Sequence, residues 1–429
     1  MKQTPAPSYY RATATPYEPY PRLQGRVDAR VVIVGGGYAG LHTALGLAER
    51  GIQDVVLIER EQVGFGASGR NGGFVFAGYS LGEQSLLDQQ GAAQARQLFE
   101  LTTSAVRRIR DLTRRYEMPC QVVDEGVIWA NWFRDPGVLR QRQALLAERY
   151  GVEWEWMPQE QLRERIHTQR YFDGLYERNA LHLHPLNFAI GLAAAASAQG
   201  VRIHENTDAW QLKREGLRWR VETDQGSVSA DHVVLACGGY LAGLRKTIDR
   251  AILPIATYAM VTEPLGDRMA DVLQTRSAIY DTRFAFDYYR PLPDTRLLWG
   301  GRISIRNRSP QAVRTLLLRD LMHVFPQLKG VQVDYAWSGL MSYARHQMPQ
   351  IGGTDAGLWW AQAFGGHGLA PTCAAGELLA AAIAQGDDQW KHFSTYGLDR
   401  AWRPAGYLAA QASYWWQESK DWFKSRLEG

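Results

Sequence analysis

The chain has 429 residues, 45% hydrophobic and 21% charged, with a formal charge of +4. That length exceeds what one compact core usually holds, so two interlocked domains are expected. The small, scattered positive charge argues against a nucleic-acid partner, which needs basic residues gathered on one face. Three widely spaced cysteines, Cys120, Cys237 and Cys373, imply neither a disulfide framework nor a zinc cluster. Residues 1–25 lack the apolar core of a signal peptide, and no stretch approaches a membrane span, so a cytoplasmic protein is expected, at most attached to the inner face of a membrane.

In chain order, residues 1–25 read as an irregular arm carrying Tyr9, Tyr10, Tyr17 and Tyr20. A short β-branched strand (30–34) meets a glycine cluster, a helix follows over 38–50 with Leu41, Ala44, Leu45 and Ala48 on one face, and a second strand covers 54–59. This is a βαβ unit of the expected size. Residues 84–165 read as helical and charged. A helix (186–198) and strand (201–205) come next, then β-like runs at 209–212, 218–223 and 232–236. From 252 to 305 the pattern alternates as in an antiparallel sheet, before helices at 310–325 and 372–385.

Nucleotide-type elements thus recur at three separated places. The fold class expected is α/β: a discontinuous Rossmann-type domain (26–83, 176–245 and 330–390) beside an α+β substrate domain on an antiparallel sheet (84–175 and 246–329). The arm 1–25 and a helical extension 391–429 flank them.

Gly35, Gly37 and Gly40 form a Gly-x-Gly-x-x-Gly turn between strand and helix, spaced for a pyrophosphate at a helix N-terminus. Glu59 ends the next strand 24 residues after Gly35, where an acid binds ribose hydroxyls. One such motif serves FAD and NAD alike. FAD is favoured because no second motif exists, because Gly64-Phe65-Gly66-Ala67-Ser68-Gly69-Arg70-Asn71-Gly72-Gly73 follows at once, and because Gly365-Gly366-His367-Gly368 precedes a late helix.

The order GGGYAG, Glu59, GFGASGRNGG, HLHPLN, VVLACGGY and FGGHGL resembles the FAD-dependent D-amino-acid oxidase and glycine oxidase superfamily over about residues 8–385. Within it the gamma-glutamylputrescine oxidase branch is most similar, with bacterial L-pipecolate oxidases alongside. The resemblance implies that Gly35, Gly37, Tyr38, Ala39 and Gly40 meet the pyrophosphate and that Glu59 and Arg60 lie at the adenosine ribose. Ala67, Ser68, Gly69, Arg70, Asn71, Gly72 and Gly73 would follow the diphosphate and flavin, with Cys237 and Gly238 near the cofactor. Gly365, Gly366, His367, Gly368 and Leu369 would cover the pyrimidine edge of the ring. The stretch 338–345 lacks the cysteine that tethers FAD in some relatives, so non-covalent FAD is expected.

The implied reaction is oxidation of a C–N bond by hydride transfer to flavin N5, giving an imine, with oxygen or a quinone as electron acceptor. In the aromatic sheet, Tyr258, Tyr289 and Arg302 are the expected pocket residues, Arg302 as a fork for a substrate carboxylate. His367 is expected beside the flavin and Arg345 at the substrate. His184 reads as the cap of the helix beginning near Pro185; with His182 it lacks a third metal ligand. The segment 407–427, rich in Trp, Lys and Arg, has the composition of a helix that either packs on its own protein or lies in a membrane interface. A small amine or amino acid is the expected substrate, and oligomeric state is not legible.

Overall fold

The computed structural model describes residues 8–428; residues 1–7 of the arm, and Gly429, lie outside the described residues. Two eight-stranded sheets organise the chain. The first carries five parallel strands in the order Leu358–Gln362, Gly226–Leu235, Gly25–Val34, Val55–Ile58 and Arg202–His204. Its central strand ends in Val31-Val32-Ile33-Val34, buried on both faces as a parallel strand between helices must be. Strand Gln350–Gly353 closes one edge antiparallel, and the hairpin Ala209–Glu215 with Arg218–Thr223 extends the long strand 226–235.

Helix Tyr38–Glu49 follows the glycine turn and lies against helix Leu369–Gln385. Both helices are rich in small residues where they cross. A Cβ at Gly376 would run into His42, and one at Gly46 would stand 2.9 Å from Ala380 Cβ. Small residues such as Gly376 and Ala380 let the two helices cross closely.

The second sheet runs Val333–Tyr343, Leu253–Thr262, Leu297–Ser304, Asp287–Pro291, Ala278–Asp281, Val127–Ala130, Gly174–Glu177 and Glu155–Met157. It is antiparallel except where 278–281 pairs in parallel with 127–130. Helix Pro310–Val324 covers one face, over a core in which Tyr289 stacks on Trp299 at 4.5 Å and Phe325 meets both edge-on. Each such aromatic contributes about 1.5–3 kcal/mol by burial.

Three sequence expectations change here. The stretch 84–165 is not wholly helical: it holds helix Glu83–Arg115, kinked at Gly91, and the strands at 127–130 and 155–157. Both strands are short, and Val127-Ile128-Trp129-Ala130 is buried throughout, with no alternation to announce it. Helix 83–115 packs on helix 369–385 in the first sheet's core, although its sequence neighbours join the second sheet. Strand 333–343, inside the expected third cofactor segment, pairs with 253–262 in the second sheet. The arm lies across the body: Tyr9 and Tyr10 pack near Trp337, and Tyr17 donates to Glu205 at 2.6 Å.

Candidate active site

A single cavity of about 1280 Å³ begins at the glycine turn and ends between the two sheets. That exceeds the roughly 300–1,000 Å³ of pockets for one small ligand. At one end, Gly35 adopts φ +115°, and a Cβ there would stand 2.6 Å from the Ala236 carbonyl oxygen. A Cβ at Gly40 would run into the Gly35 carbonyl. Only glycine allows this turn, and it leaves bare backbone beside the cavity. Ser68 Oγ accepts the Tyr38 N–H at 3.0 Å, tying the second glycine loop to the helix start.

Glu59 lines the same end. Its carboxylate accepts the Gly36 and Glu61 N–H groups at 2.7 and 2.9 Å, which fixes its orientation and leaves lone pairs for hydroxyl donors. Burial raises its pKa, partly offset by those two amides. Arg60, Ala67, Ser68, Arg70, Asn71, Gly72, Cys237 and Gly238 also line the cavity. Asn71 spends its amide within the loop, donating to the Ala67 and Ser68 carbonyls and accepting from the Gly73 N–H. Gly40, Gly69 and Gly73 shape the walls without lining them. Burial pushes the Cys237 thiol up to about 12, which keeps it protonated.

Helix 369–385 starts three residues earlier than its sequence suggests, so Gly368 is its N-cap with no side chain satisfying the first N–H groups. Gly365 (φ +59°), Gly366, His367, Gly368 and Leu369 form the adjacent wall. Ser80 Oγ accepts the Gly366 N–H at 3.0 Å. Tyr343, which packs beside Gly365 and Gly366, supports the loop from the second sheet. Neither residue carries a local sequence signal, since each comes from a distant segment.

These features fit a dinucleotide flavin: a turn stripped of Cβ atoms, an oriented carboxylate at ribose distance in sequence, and an open helix N-terminus at the far wall. A family model described as FAD dependent oxidoreductase matches residues 30–382. The chain belongs to that family. It is 34% identical over 383 residues to the gamma-glutamylputrescine oxidoreductase of Escherichia coli (strain K12), with 89% of each chain covered. A "Probable oxidoreductase OrdL" of Haemophilus influenzae is 31% identical over 395 residues, again across 89% of each. Glycine oxidase from Geobacillus kaustophilus superposes with a TM-score of 0.73 at 21% identity, covering 87% of this chain and 99% of that one, which is a likeness of fold.

This flavoenzyme therefore holds FAD, and its cavity continues beyond the glycine loops to the second sheet. His367 faces an aromatic stack there. Its ring lies edge-on to Phe76 at 4.8 Å, Phe76 stacks on Tyr280 at 5.7 Å, and Tyr280 on Trp129 at 6.0 Å. Arg142, from helix Gly137–Leu145, closes the stack, its guanidinium 4.5 Å from the Trp129 ring and 4.8 Å from that of Trp154. One Nη donates to Glu83 at 2.7 Å, while Nε is buried without a partner. Burial, then the Arg142 charge, lowers the His367 pKa to about 4, so the imidazole is neutral at physiological pH. Burial likewise raises the nearby Glu177 carboxyl to about 8.

The other expected substrate residues fall elsewhere. Tyr258 and Tyr289 point to the helix-covered face; Tyr258 donates to the Arg306 carbonyl and Tyr289 sits in the aromatic core. Their neighbours Thr257 and Tyr288 line the cavity instead. Strand side chains alternate, so a displacement of one residue exchanges faces. Arg302 lines the cavity, but its fork is taken by Asp320 at 2.9 Å through Nε and Nη2, and by Glu418 of the C-terminal helix through Nη1. It is a brace, not an open carboxylate site. Arg345 is exposed where it lines the cavity and has no ion pair among the described residues. Arg290, deeply buried, donates to the Gly72 and Leu183 carbonyls at 2.8 and 2.9 Å and clamps the second glycine loop to the second sheet. His184 caps its helix by accepting the Asn187 N–H at 3.1 Å. Among the described residues no cluster has the makings of a metal site.

Proposed function

We propose that this flavoenzyme oxidises a C–N bond in a small amine or amino acid bearing a carboxylate, with a gamma-glutamylated polyamine as first candidate and L-pipecolate as second. The observation that carries the reading is the Arg142–Trp129–Tyr280–Phe76–His367 box at the far end of the FAD cavity. Bound FAD supplies the hydride acceptor, and the chain supplies orientation and electrostatics. Arg142 offers N–H donors on a rigid plane to a carboxylate, in an aromatic setting where such bonds gain strength. A histidine with pKa near 4 is too weak a base to take an ammonium proton readily, so His367 acts as a neutral hydrogen-bonding group that holds the reacting nitrogen or the ring edge. The relative named gamma-glutamylputrescine oxidoreductase supports the substrate class.

Oxygen, giving hydrogen peroxide, is the acceptor in this reading. A quinone is the second reading, favoured by the exposed aromatic face of the C-terminal helix. Anaerobic titration of the purified protein with gamma-glutamylputrescine, L-pipecolate, L-proline and simple D-amino acids, followed by flavin absorbance, tests the substrate. Bleaching by a carboxylate-bearing amine is expected; flavin bound but unbleached by all of them would sink the assignment. Oxygen consumption on mixing with air then separates the two acceptors.

A further inference from the structure

The C-terminal helix, Arg403–Glu428, is amphipathic in an uncommon sense: its acids all turn inward, while the charges it exposes are cationic. One face is fastened to the second sheet and cavity mouth. Tyr414 and Gln411 are buried there, and Ala409, Ala410 and Ser413 line the cavity. The acids turn the same way. Glu418 pairs with Arg302, Asp421 accepts the Phe284 N–H at 2.7 Å, and Glu428 accepts the Arg134 N–H at 2.7 Å. Lys424 also turns inward, toward Asp135 at 3.7 Å.

The opposite face carries Leu408, Trp415, Trp416, Trp422, Phe423 and Leu427, each more than half exposed. Helical spacing places them on one stripe. The only charges among its exposed residues are Lys420 and Arg426. Each stands over a ring: Arg426 at 4.3 Å from Trp422, and Lys420 at 5.6 Å from Trp416. Long cationic side chains lying along indoles, with their charge at the rim, have the geometry of residues that seat at a bilayer surface.

We propose that this face docks on an anionic phospholipid bilayer, with the indoles in the headgroup region and Lys420 and Arg426 on lipid phosphates. The charge sorting selects this occupant. A second copy of the chain meeting the same face would set cations against cations with no acid to answer them, whereas an anionic lipid surface answers both. No helix among the described residues is long and apolar enough to cross a membrane, so the contact is peripheral. Because the same helix forms part of the cavity mouth, docking holds that mouth at the lipid surface.

The test is co-sedimentation of the FAD-loaded protein with vesicles of equal parts phosphatidylglycerol and phosphatidylcholine, and with pure phosphatidylcholine. Binding to the mixed vesicles is expected, with a blue shift of tryptophan emission and release by salt. Lys420→Glu/Arg426→Glu should weaken binding on the order of tenfold or more. Trp415→Ser/Trp422→Ser/Phe423→Ser should abolish it, with flavin absorbance unchanged because these side chains touch solvent. Wild-type protein left in the supernatant with both vesicle types would overturn the proposal. So would a dimer in solution that the triple substitution dissociates, since the face would then belong to a second copy.

Discussion

The two ends of the cavity are built on different principles. The glycine end is made of backbone: a turn that tolerates no Cβ and one carboxylate held by two amides. The far end is made of side chains delivered by separate segments: Phe76 beyond the second glycine loop, Trp129 and Tyr280 from neighbouring strands, Arg142 from a helix, His367 from a late loop. A backbone-built site leaves a continuous signature in the sequence, while a side-chain-built site is scattered by the topology.

The sharpest way to break that contrast is at Gly40. Gly40→Val drives a side chain into the Gly35 carbonyl and should cut retained flavin by more than tenfold, about 1.4 kcal/mol or more; full flavin content in the purified variant would show that the turn is more yielding than its geometry. Next comes Arg142→Met, which should lower kcat/KM for a carboxylate-bearing substrate by about 10–100-fold, as expected for loss of a charged hydrogen bond, with flavin content kept. Unchanged kinetics would move the anion grip to Arg345.

Arg302→Met sharpens the comparison from the other side. It strands Asp320, which is nearly buried, so thermal unfolding should come several degrees earlier, with a loss of about 3 kcal/mol and KM changed less than about twofold. A large rise in KM at unchanged melting temperature would restore Arg302 as a substrate ligand.

The last comparison concerns acid. Burial, then the Arg290 charge, lowers the pKa of His182 and His184 to about 3, and burial with the Arg108 charge does the same to His42. Below pH 6.5 the unfolded chain binds protons that the folded chain refuses. Stability thus falls as pH drops from 6.5 toward 3, by up to about 1.4 kcal/mol per pH unit for each histidine. His184→Asn, which can still cap its helix, should flatten that fall measurably in urea unfolding at pH 5 against pH 7. An identical slope would mean that the His184 ring is protonated in the folded state.

Reading outward from the motifs, the βαβ unit, both glycine loops and Glu59 were legible because each signal is local and chemically demanding. His184 as a helix cap was legible for the same reason: the ring accepts an N–H three residues on. Tyr258 and Tyr289 were placed on the wrong face because an aromatic strand with bulky residues on both sides carries no hydrophobic alternation from which to read its parity. Strand 127–130 was hidden in a charged helical stretch, and with it went Trp129 and the sense that Arg142 faces a cavity.

Local sequence was sufficient to specify the strand–turn–helix that receives a dinucleotide, since bond geometry and the absence of Cβ atoms act over a few residues. Arg302 marks the limit. Its chemistry is that of a carboxylate fork, but which carboxylate it meets depends on Asp320, 18 residues on, and Glu418, 116 residues on. Such a choice is made by long-range packing, where ion pairs, strand parity and the path of the C-terminal helix settle together, and only the folded chain holds those partners in reach.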